Sequence, residues 1–265
     1  MPEAAVRSLL AEATRRLDGG SPRLDAEVLL GHVLGVDRAR LVMDAASVPA
    51  PDAVAAFQTL VARRCAGEPV AYLVGRREFR RLTLCVDRRV LIPRPETELL
   101  VEVALGLPAG ARVLDVGTGS GAVALALADE RPDLEVWGSD VSADAVAVAR
   151  GNAARLGLAV EFIVGDLLVG EFDAVLANLP YVEDGCVLPR DVAGFEPAGA
   201  LFGGPDGLDI VRRLIEQLYA VRWVALEVGA GQAETVSALL AAAGFARVER
   251  HRDLAGIERV VVACR

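Results

Sequence analysis

Apolar positions fall at helical spacing over residues 3–17, over 25–34 after a Gly-Gly-Ser-Pro break, and over 53–66, which predicts a helical N-terminal region. The period changes over 78–92. There Phe79, Leu82, Leu84, Val86, Val90 and Ile92 predict two strands around an Asp87-Arg88 turn. Pro93 and Pro95 bracket Arg94, and helical spacing resumes over 96–105. From residue 112 onward short apolar runs alternate with helical stretches. The predicted strands are 112–116, 135–139, 160–164, 172–177, 222–228, 247–251 and 258–263, with helices near 121–130, 142–156, 207–219 and 231–243. Ser142 suits an N-cap, and Gly157 and Gly244 sit where helices should stop. The pattern is that of an α/β fold with a mostly parallel, doubly wound seven-stranded sheet. No helix separates the last two strands, so they should form an antiparallel hairpin at one sheet edge. Three segments follow: a helical domain over 1–75, a β-hairpin linker over 76–95 and a catalytic domain over 96–265.

Composition changes this picture little. In 265 residues, 53% hydrophobic content suffices for one large domain with a smaller companion. The N-terminus has no basic-then-apolar signal pattern and no apolar run is long enough to span a membrane, so a cytoplasmic location and no membrane partner are expected. Cys65, Cys85, Cys186 and Cys264 lie far apart with no His beside them, which argues against a metal site or a disulfide framework. A net charge of −9 argues against stable nucleic-acid binding over the whole surface. The densest basic cluster is Arg76, Arg77, Arg80, Arg81, Arg88, Arg89 and Arg94. It reads as a solvated hairpin, with a contact site for an acidic or RNA partner as the alternative. His32 and His251 read as structural.

Candidate chemistry sits just past the strands, where ligands bind in such sheets. Strand one runs into Asp115-Val116-Gly117-Thr118-Gly119-Ser120-Gly121, whose glycines permit a tight turn and close ligand approach before a helix N-terminus. Strand two ends in Asp140, about 20 residues on, where a carboxylate can accept both ribose hydroxyls. This specifies a nucleoside-containing cofactor without choosing one, because residues 117–122 also satisfy the dinucleotide fingerprint. Asp115 tilts the choice toward S-adenosylmethionine, which has no pyrophosphate and carries a sulfonium and an ammonium group. Strand three ends at Gly165-Asp166-Leu167, where Asp166 can meet an adenine amino group and Leu167 its ring. Three acidic strand tips suit a cation, although Asp at strand ends is also an ordinary turn former.

The segments GEPVAYLVGRREF, LIPRPETELLVE, DVGTGSG, NLPY, FEPAGALFGGPDGLDIVRRLI and LEVGAGQ occur in this order and span nearly the whole chain. Together they resemble the bacterial release-factor glutamine N5-methyltransferases. That resemblance implies a class I methyltransferase that uses S-adenosylmethionine, releases S-adenosylhomocysteine, and methylates the glutamine amide in the Gly-Gly-Gln loop of peptide chain release factors. It implies that Asn178, Leu179, Pro180 and Tyr181 hold the substrate amide, with Asn178 also near the cofactor. Arg94, Glu96, Thr97 and Glu196 would then lie close to cofactor and substrate, residues 182–206 would form a mobile segment closing over the glutamine, and the protein would be a monomer. A plain connector is the alternative for 182–206.

An amide nitrogen is a poor nucleophile, and no side chain of ordinary pKa deprotonates it. Two acceptors, the Asn178 side-chain oxygen and the Leu179 carbonyl, could grip both N–H groups, with Tyr181 packed against the planar group. The family has proline where this chain has Leu179. Leucine keeps the carbonyl but restores rotation and adds an N–H, while Pro180 still holds Leu179 extended. Two alternatives remain: an amino methyltransferase on nucleic acid, since Asn-x-Pro-Tyr also suits adenine, and a paralogue with another substrate or without turnover.

Overall fold

The computed structural model describes residues 5–265, so the expected helix start at residue 3 lies outside the described residues. The chain forms two compact units, one running up to Gly75 and taking in Leu188–Phe195, the other comprising Arg76–Val187 and Glu196–Arg265. The hairpin expected as a separate linker therefore clusters with the sheet unit. Residues 188–195, expected within the catalytic domain, cluster with the helical one.

The first unit contains α1 (Val6–Arg16), α2 (Pro22–Leu34), α3 (Arg38–Met43), α4 (Pro51–Cys65) and α5 (Val70–Val74). The short α3 and α5 escape a periodicity reading because neither spans two turns. Leu9, Leu10, Ala26, Leu29, Leu30, Phe57 and Val61 form its core, each large apolar side chain contributing about 1.5–3 kcal/mol on burial. Pro22 and Pro51 begin their helices, where the missing N–H costs nothing. Within the returning segment Asp191 approaches Arg64, which also pairs with Asp25 at 2.9 Å.

The second unit opens with β1 (Arg76–Phe79) and β2 (Leu82–Cys85), an antiparallel pair. Its turn falls at Arg80-Arg81 rather than at the expected Asp87-Arg88. Arg80 adopts a left-handed backbone with φ 50°, which costs roughly 1–2 kcal/mol. Its anchors offset that cost: the N–H donates to Glu98, and the guanidinium pairs with Glu130 at 2.6 Å and Glu102 at 3.1 Å. Asp87 makes a separate turn beyond β2, accepting from Val90.

There follow α6 (Glu98–Ala104), β3 (Arg112–Val116), α7 (Ala122–Glu130), β4 (Glu135–Asp140), α8 (Ala143–Leu156), β5 (Glu161–Val164) and β6 (Ala174–Ala177), then, after α9 (Arg190–Ala193), which belongs to the helical unit, α10 (Asp209–Gln217), β7 (Trp223–Glu227), α11 (Ala233–Ala242), β8 (Arg247–Arg252) and β9 (Glu258–Cys264). The seven strands lie in the order β5-β4-β3-β6-β7-β9-β8. β5 through β7 are parallel, while β9 runs antiparallel to both β7 and β8. The sheet is covered on both faces. Val113, Leu125 and Leu176 belong to one apolar cluster, and Leu114, Val175 and Leu226 to the other. Chain order reverses between β3 and β6, which places the crevice of the sheet at their carboxyl ends.

The segment 182–206 is more than an uninterrupted connector. Val182 and Phe202 form a parallel bridge, with Val182 N–H donating to the Leu201 carbonyl and Gly203 N–H to the Val182 carbonyl, both at 2.9 Å. Among the described residues, no helix is long and apolar enough to cross a membrane.

Candidate active site

A cavity of about 520 Å³ opens at the β3/β6 crevice, lined by the tips of four parallel strands. Gly117 and Gly119 follow β3, Asp140, Val141 and Ser142 close β4 and begin the next turn, Gly165, Asp166 and Leu167 follow β5, and Asn178, Leu179 and Pro180 follow β6. Arg89, Val90 and Leu91 form one wall, and Pro197, Gly199, Ala200, Ile210 and Arg213 another. None of these wall residues was singled out as cofactor-binding from sequence. Their signal is weak because each reaches the cavity through tertiary folding, without a local motif.

The glycine loop behaves as its spacing requires. Gly117, Gly119 and Gly121 have φ of 72°, 55° and 82°, a region that disfavours other residues. A Cβ on Gly117 would stand 3.1 Å from Leu179 Cδ2, so the loop and the strand-end tetrapeptide fit against each other.

The three acidic tips do not act alike. Asp140 faces the cavity, its Oδ2 accepting from Gly119 N–H at 3.0 Å and its Oδ1 from Ser142 N–H at 2.9 Å. Each oxygen retains a lone pair for a ligand hydroxyl. Asp166 stands at the rim in an ion pair with Arg213 at 2.6 Å. Asp115 is buried off the cavity wall, where its Oδ2 accepts from Thr118 Oγ1 at 2.6 Å and from Ala124 N–H at 3.3 Å at the start of α7. Burial pushes its pKa up to about 7. Alternation along β3 explains this. Asp115 shares a face with Val113, whereas Val116 on the other face lines the cavity. The structure thus places Asp115, Thr118, Ser120 and Gly121 behind the binding surface, as supports for the loop.

Leu167 takes a left-handed backbone with φ 64°, and its carbonyl accepts from Ser139 Oγ at 3.1 Å. That anchor turns the leucine side chain into the cavity wall. The mixture of a glycine cradle, a half-buried carboxylate and an apolar wall fits S-adenosylmethionine, and among the described residues lining the cavity there is no buried cation awaiting a pyrophosphate.

Around NLPY the geometry is specific. Asn178 Nδ2 donates to Thr97 Oγ1 at 3.0 Å, which commits the nitrogen and leaves Oδ1 as the acceptor. Thr97 is 4% exposed in the Pro95–Thr97 turn of the LIPRPETE segment. Tyr181 is half-buried, its hydroxyl 3.5 Å from Glu227 Oε1, and burial together with that carboxylate raises its pKa to about 12. Tyr181 is therefore a neutral, wedged ring. Its carbonyl accepts from Gln232 Nε2 at 3.0 Å. A Cβ at Gly203 would lie 2.3 Å from the Pro180 carbonyl, and one at Gly207 only 2.1 Å from that of Tyr181. The Gly-Gly-x-Asp-Gly segment and the Gly-x-Gly-Gln turn after β7 thus clamp the tetrapeptide backbone.

Arg94 and Glu196 meet each other rather than the cavity: they pair at 2.6 Å, and Glu196 also accepts from Ile92 N–H at 3.2 Å. Glu96 lines a second cavity of about 340 Å³ together with Glu98, Glu102 and Arg252. Glu227, missed by sequence reasoning, is 2% exposed at the end of β7, and among the described residues no close hydrogen bond reaches its Oε2. Most of the arginine cluster is used internally. Arg80, Arg81, Arg89 and Arg94 are all in ion pairs. Among the described residues, no three His, Cys, Asp or Glu side chains gather as metal ligands.

Comparison with known proteins agrees with this geometry. Residues 8–75 match the family described as PrmC N-terminal domain, and residues 95–192 match the Methyltransferase small domain. The release factor glutamine methyltransferase of Bordetella pertussis is 45% identical over 92% of this chain and 95% of its own length. That of Mycolicibacterium smegmatis is 42% identical over 99% and 96%. Among solved structures, a methyltransferase from Pyrococcus furiosus aligns with a TM-score of 0.53 at 17% identity, covering 77% of this chain and 96% of that one. The hMettl16 catalytic domain, solved with an RNA hairpin, aligns with a TM-score of 0.58 at 16% identity, covering 77% and 81%. These two show the fold, that of the class I methyltransferases.

Proposed function

Since the chain belongs to the release factor glutamine methyltransferase family, we propose that it methylates the side-chain amide nitrogen of the glutamine in the Gly-Gly-Gln loop of peptide chain release factors, in the cytoplasm and as a monomer. The observation that carries this reading is the commitment of Asn178 Nδ2 to Thr97, which leaves Oδ1 and the Leu179 carbonyl as neighbouring acceptors where NLPY meets the cavity. Two such acceptors match the two hydrogens of a primary amide.

S-adenosylmethionine, when bound, supplies a methyl group on a cationic sulfur. Gly117, Gly119, Asp140 and Leu167 would hold it against the loop and strand tips. The chain's own contribution is positional. Asn178 and Leu179 accept the amide hydrogens and draw electron density toward the nitrogen, and the Tyr181 ring packs beside the planar group. The carbonyls of Pro180 and Tyr181 are clamped by glycines and Gln232, so the acceptors need no reorganisation during transfer. Well-aligned attack of this kind can supply roughly 7–11 kcal/mol of the barrier at best. The proton lost from the methylated nitrogen passes to solvent. The helical unit serves as the docking element for the release factor.

The test is transfer of labelled methyl from S-adenosylmethionine to an unmethylated release factor, with RNA and DNA as competing acceptors. Label should enter the protein alone, and Asn178→Ala should lower the rate about 100-fold or more while cofactor affinity changes little. Label in nucleic acid, or an Asn178→Ala enzyme of full rate, overturns the reading.

A further inference from the structure

Glu227 is an anomaly for a core. A carboxylate taken out of water costs several kcal/mol unless it is fully partnered, yet among the described residues no close hydrogen bond reaches its Oε2, its Oε1 meets the Tyr181 hydroxyl at the long distance of 3.5 Å, and the Thr97 hydroxyl is the other neutral donor beside it. Its location is informative. β6 and β7 are adjacent and parallel, with Ala177 opposite Leu226, so Glu227 lies level with Asn178 at the reacting end of the sheet.

Thr97 stands between them. Its oxygen accepts from Asn178 Nδ2, so its single proton must point elsewhere, and the Thr97 hydroxyl lies beside the Glu227 carboxylate and favours its charge. We propose that Glu227, acting through Thr97, fixes which end of the Asn178 amide faces the substrate. The proposal rests on the reading of Asn178 as the substrate acceptor.

The logic is that of a polarity relay. An ionised carboxylate only accepts, so it claims the Thr97 proton. Thr97 can then only accept from Asn178, and the asparagine must turn Nδ2 inward and Oδ1 toward the substrate. With the amide reversed, its NH2 would face the NH2 of the substrate glutamine and repel it. Glu227 and Thr97 are thus positioning residues, and the Glu227 carboxylate is the acceptor that sets the direction of the chain of hydrogen bonds.

The groups facing Glu227 are Thr97 and Glu96 from the Pro95–Thr97 turn, Tyr181 from the loop after β6, and Arg259 from β9. Burial is the largest influence and raises its pKa to about 7. Glu96 adds to the rise, while Thr97, Arg259 and Tyr181 oppose it. Arg259 is itself shared with Asp253 at 3.0 Å. Protonated Glu227 can donate to Thr97, whose proton can then turn to Asn178 Oδ1 and reverse the amide.

The experiment compares wild type, Glu227→Gln, Thr97→Val, Thr97→Ser and Asn178→Ala with S-adenosylmethionine and an unmethylated release factor across neutral pH. The wild-type kcat should fall as pH drops through about 7, with the KM for cofactor constant. Glu227→Gln should lose that pH dependence and sit near the acid-side rate. Thr97→Val should lose about 10–100-fold in kcat, the range for residues that orient a directly acting side chain, and Thr97→Ser should recover most of it. NMR of the side-chain amides gives a readout without turnover: the Asn178 NH2 signals should titrate with the same midpoint in wild type and stay fixed in Glu227→Gln. A wild-type pH profile and an unchanged Asn178 titration in Glu227→Gln overturn the relay. An active Asn178→Ala enzyme would instead overturn the reading beneath it, and the two failures are thereby distinguished.

Discussion

Leu179 shows how one side chain can leave a mechanism intact while changing its frame. Its carbonyl is available to a substrate N–H whatever the side chain, and the Pro180 that follows restricts it to extended backbone. The leucine itself is 5% exposed in the cluster with Leu114, Val116 and Leu167, and it fills the space above Gly117. Leu179→Pro should therefore keep or raise kcat in the methyl-transfer assay and lower stability by about 1 kcal/mol, the loss of roughly one buried methylene, read by urea denaturation. A large loss of kcat would mean that the leucine is an adaptation of its own. At this scale the sequence put Asn178, Asp140 and Leu167 at strand tips, and all three line the cavity of the structure. It misled for Asp115, whose face on β3 depends on alternation within a strand packed on both sides, and it was silent on Glu227, which looks like an ordinary strand-end residue until its burial is seen.

At the scale of elements, the site is held by a few staples between segments far apart in the chain. Asn152 on α8, fully buried, accepts from Cys85 N–H at 2.7 Å and donates to the carbonyls of Cys85 and Ser120 at 3.0 and 2.9 Å. It joins the end of the hairpin to the glycine loop. Asn152→Ala leaves those backbone groups without partners and should cost about 3 kcal/mol, since each buried unsatisfied group costs roughly 1–3, with a weaker cofactor affinity in calorimetry. An unchanged Tm together with unchanged affinity would contradict that role. The alternation of strands and helices was readable from the hydrophobic period, as was the antiparallel ending. The hairpin turn was not, because Arg80 is held left-handed by Glu98, Glu102 and Glu130, all remote in sequence.

For the whole molecule, acidity is distributed with purpose. Asp115 is raised toward neutrality by burial. A carboxyl whose folded pKa exceeds its unfolded value destabilises the fold only where the unfolded chain would be ionised and the folded group resists it. That penalty is absent below the unfolded pKa of about 4 and complete above about 7. Stability should thus decline as pH rises from mildly acid to neutral, and Asp115→Asn should show a smaller decline in its Tm than wild type. An identical pH dependence in both proteins would contradict this assignment. The helical unit runs to residue 75 and also takes in residues 188–195; that return has no local signal in the sequence, because it depends on a distant segment meeting partners such as Arg64.

The most direct measurement is peptide mass spectrometry of an unmethylated release factor after incubation with this protein and S-adenosylmethionine. The expected result is one methyl group replacing a hydrogen on the glutamine of the Gly-Gly-Gln loop, and none with Asn178→Ala. An unmodified glutamine with cofactor binding intact, or a methyl group on any other residue, would contradict the account.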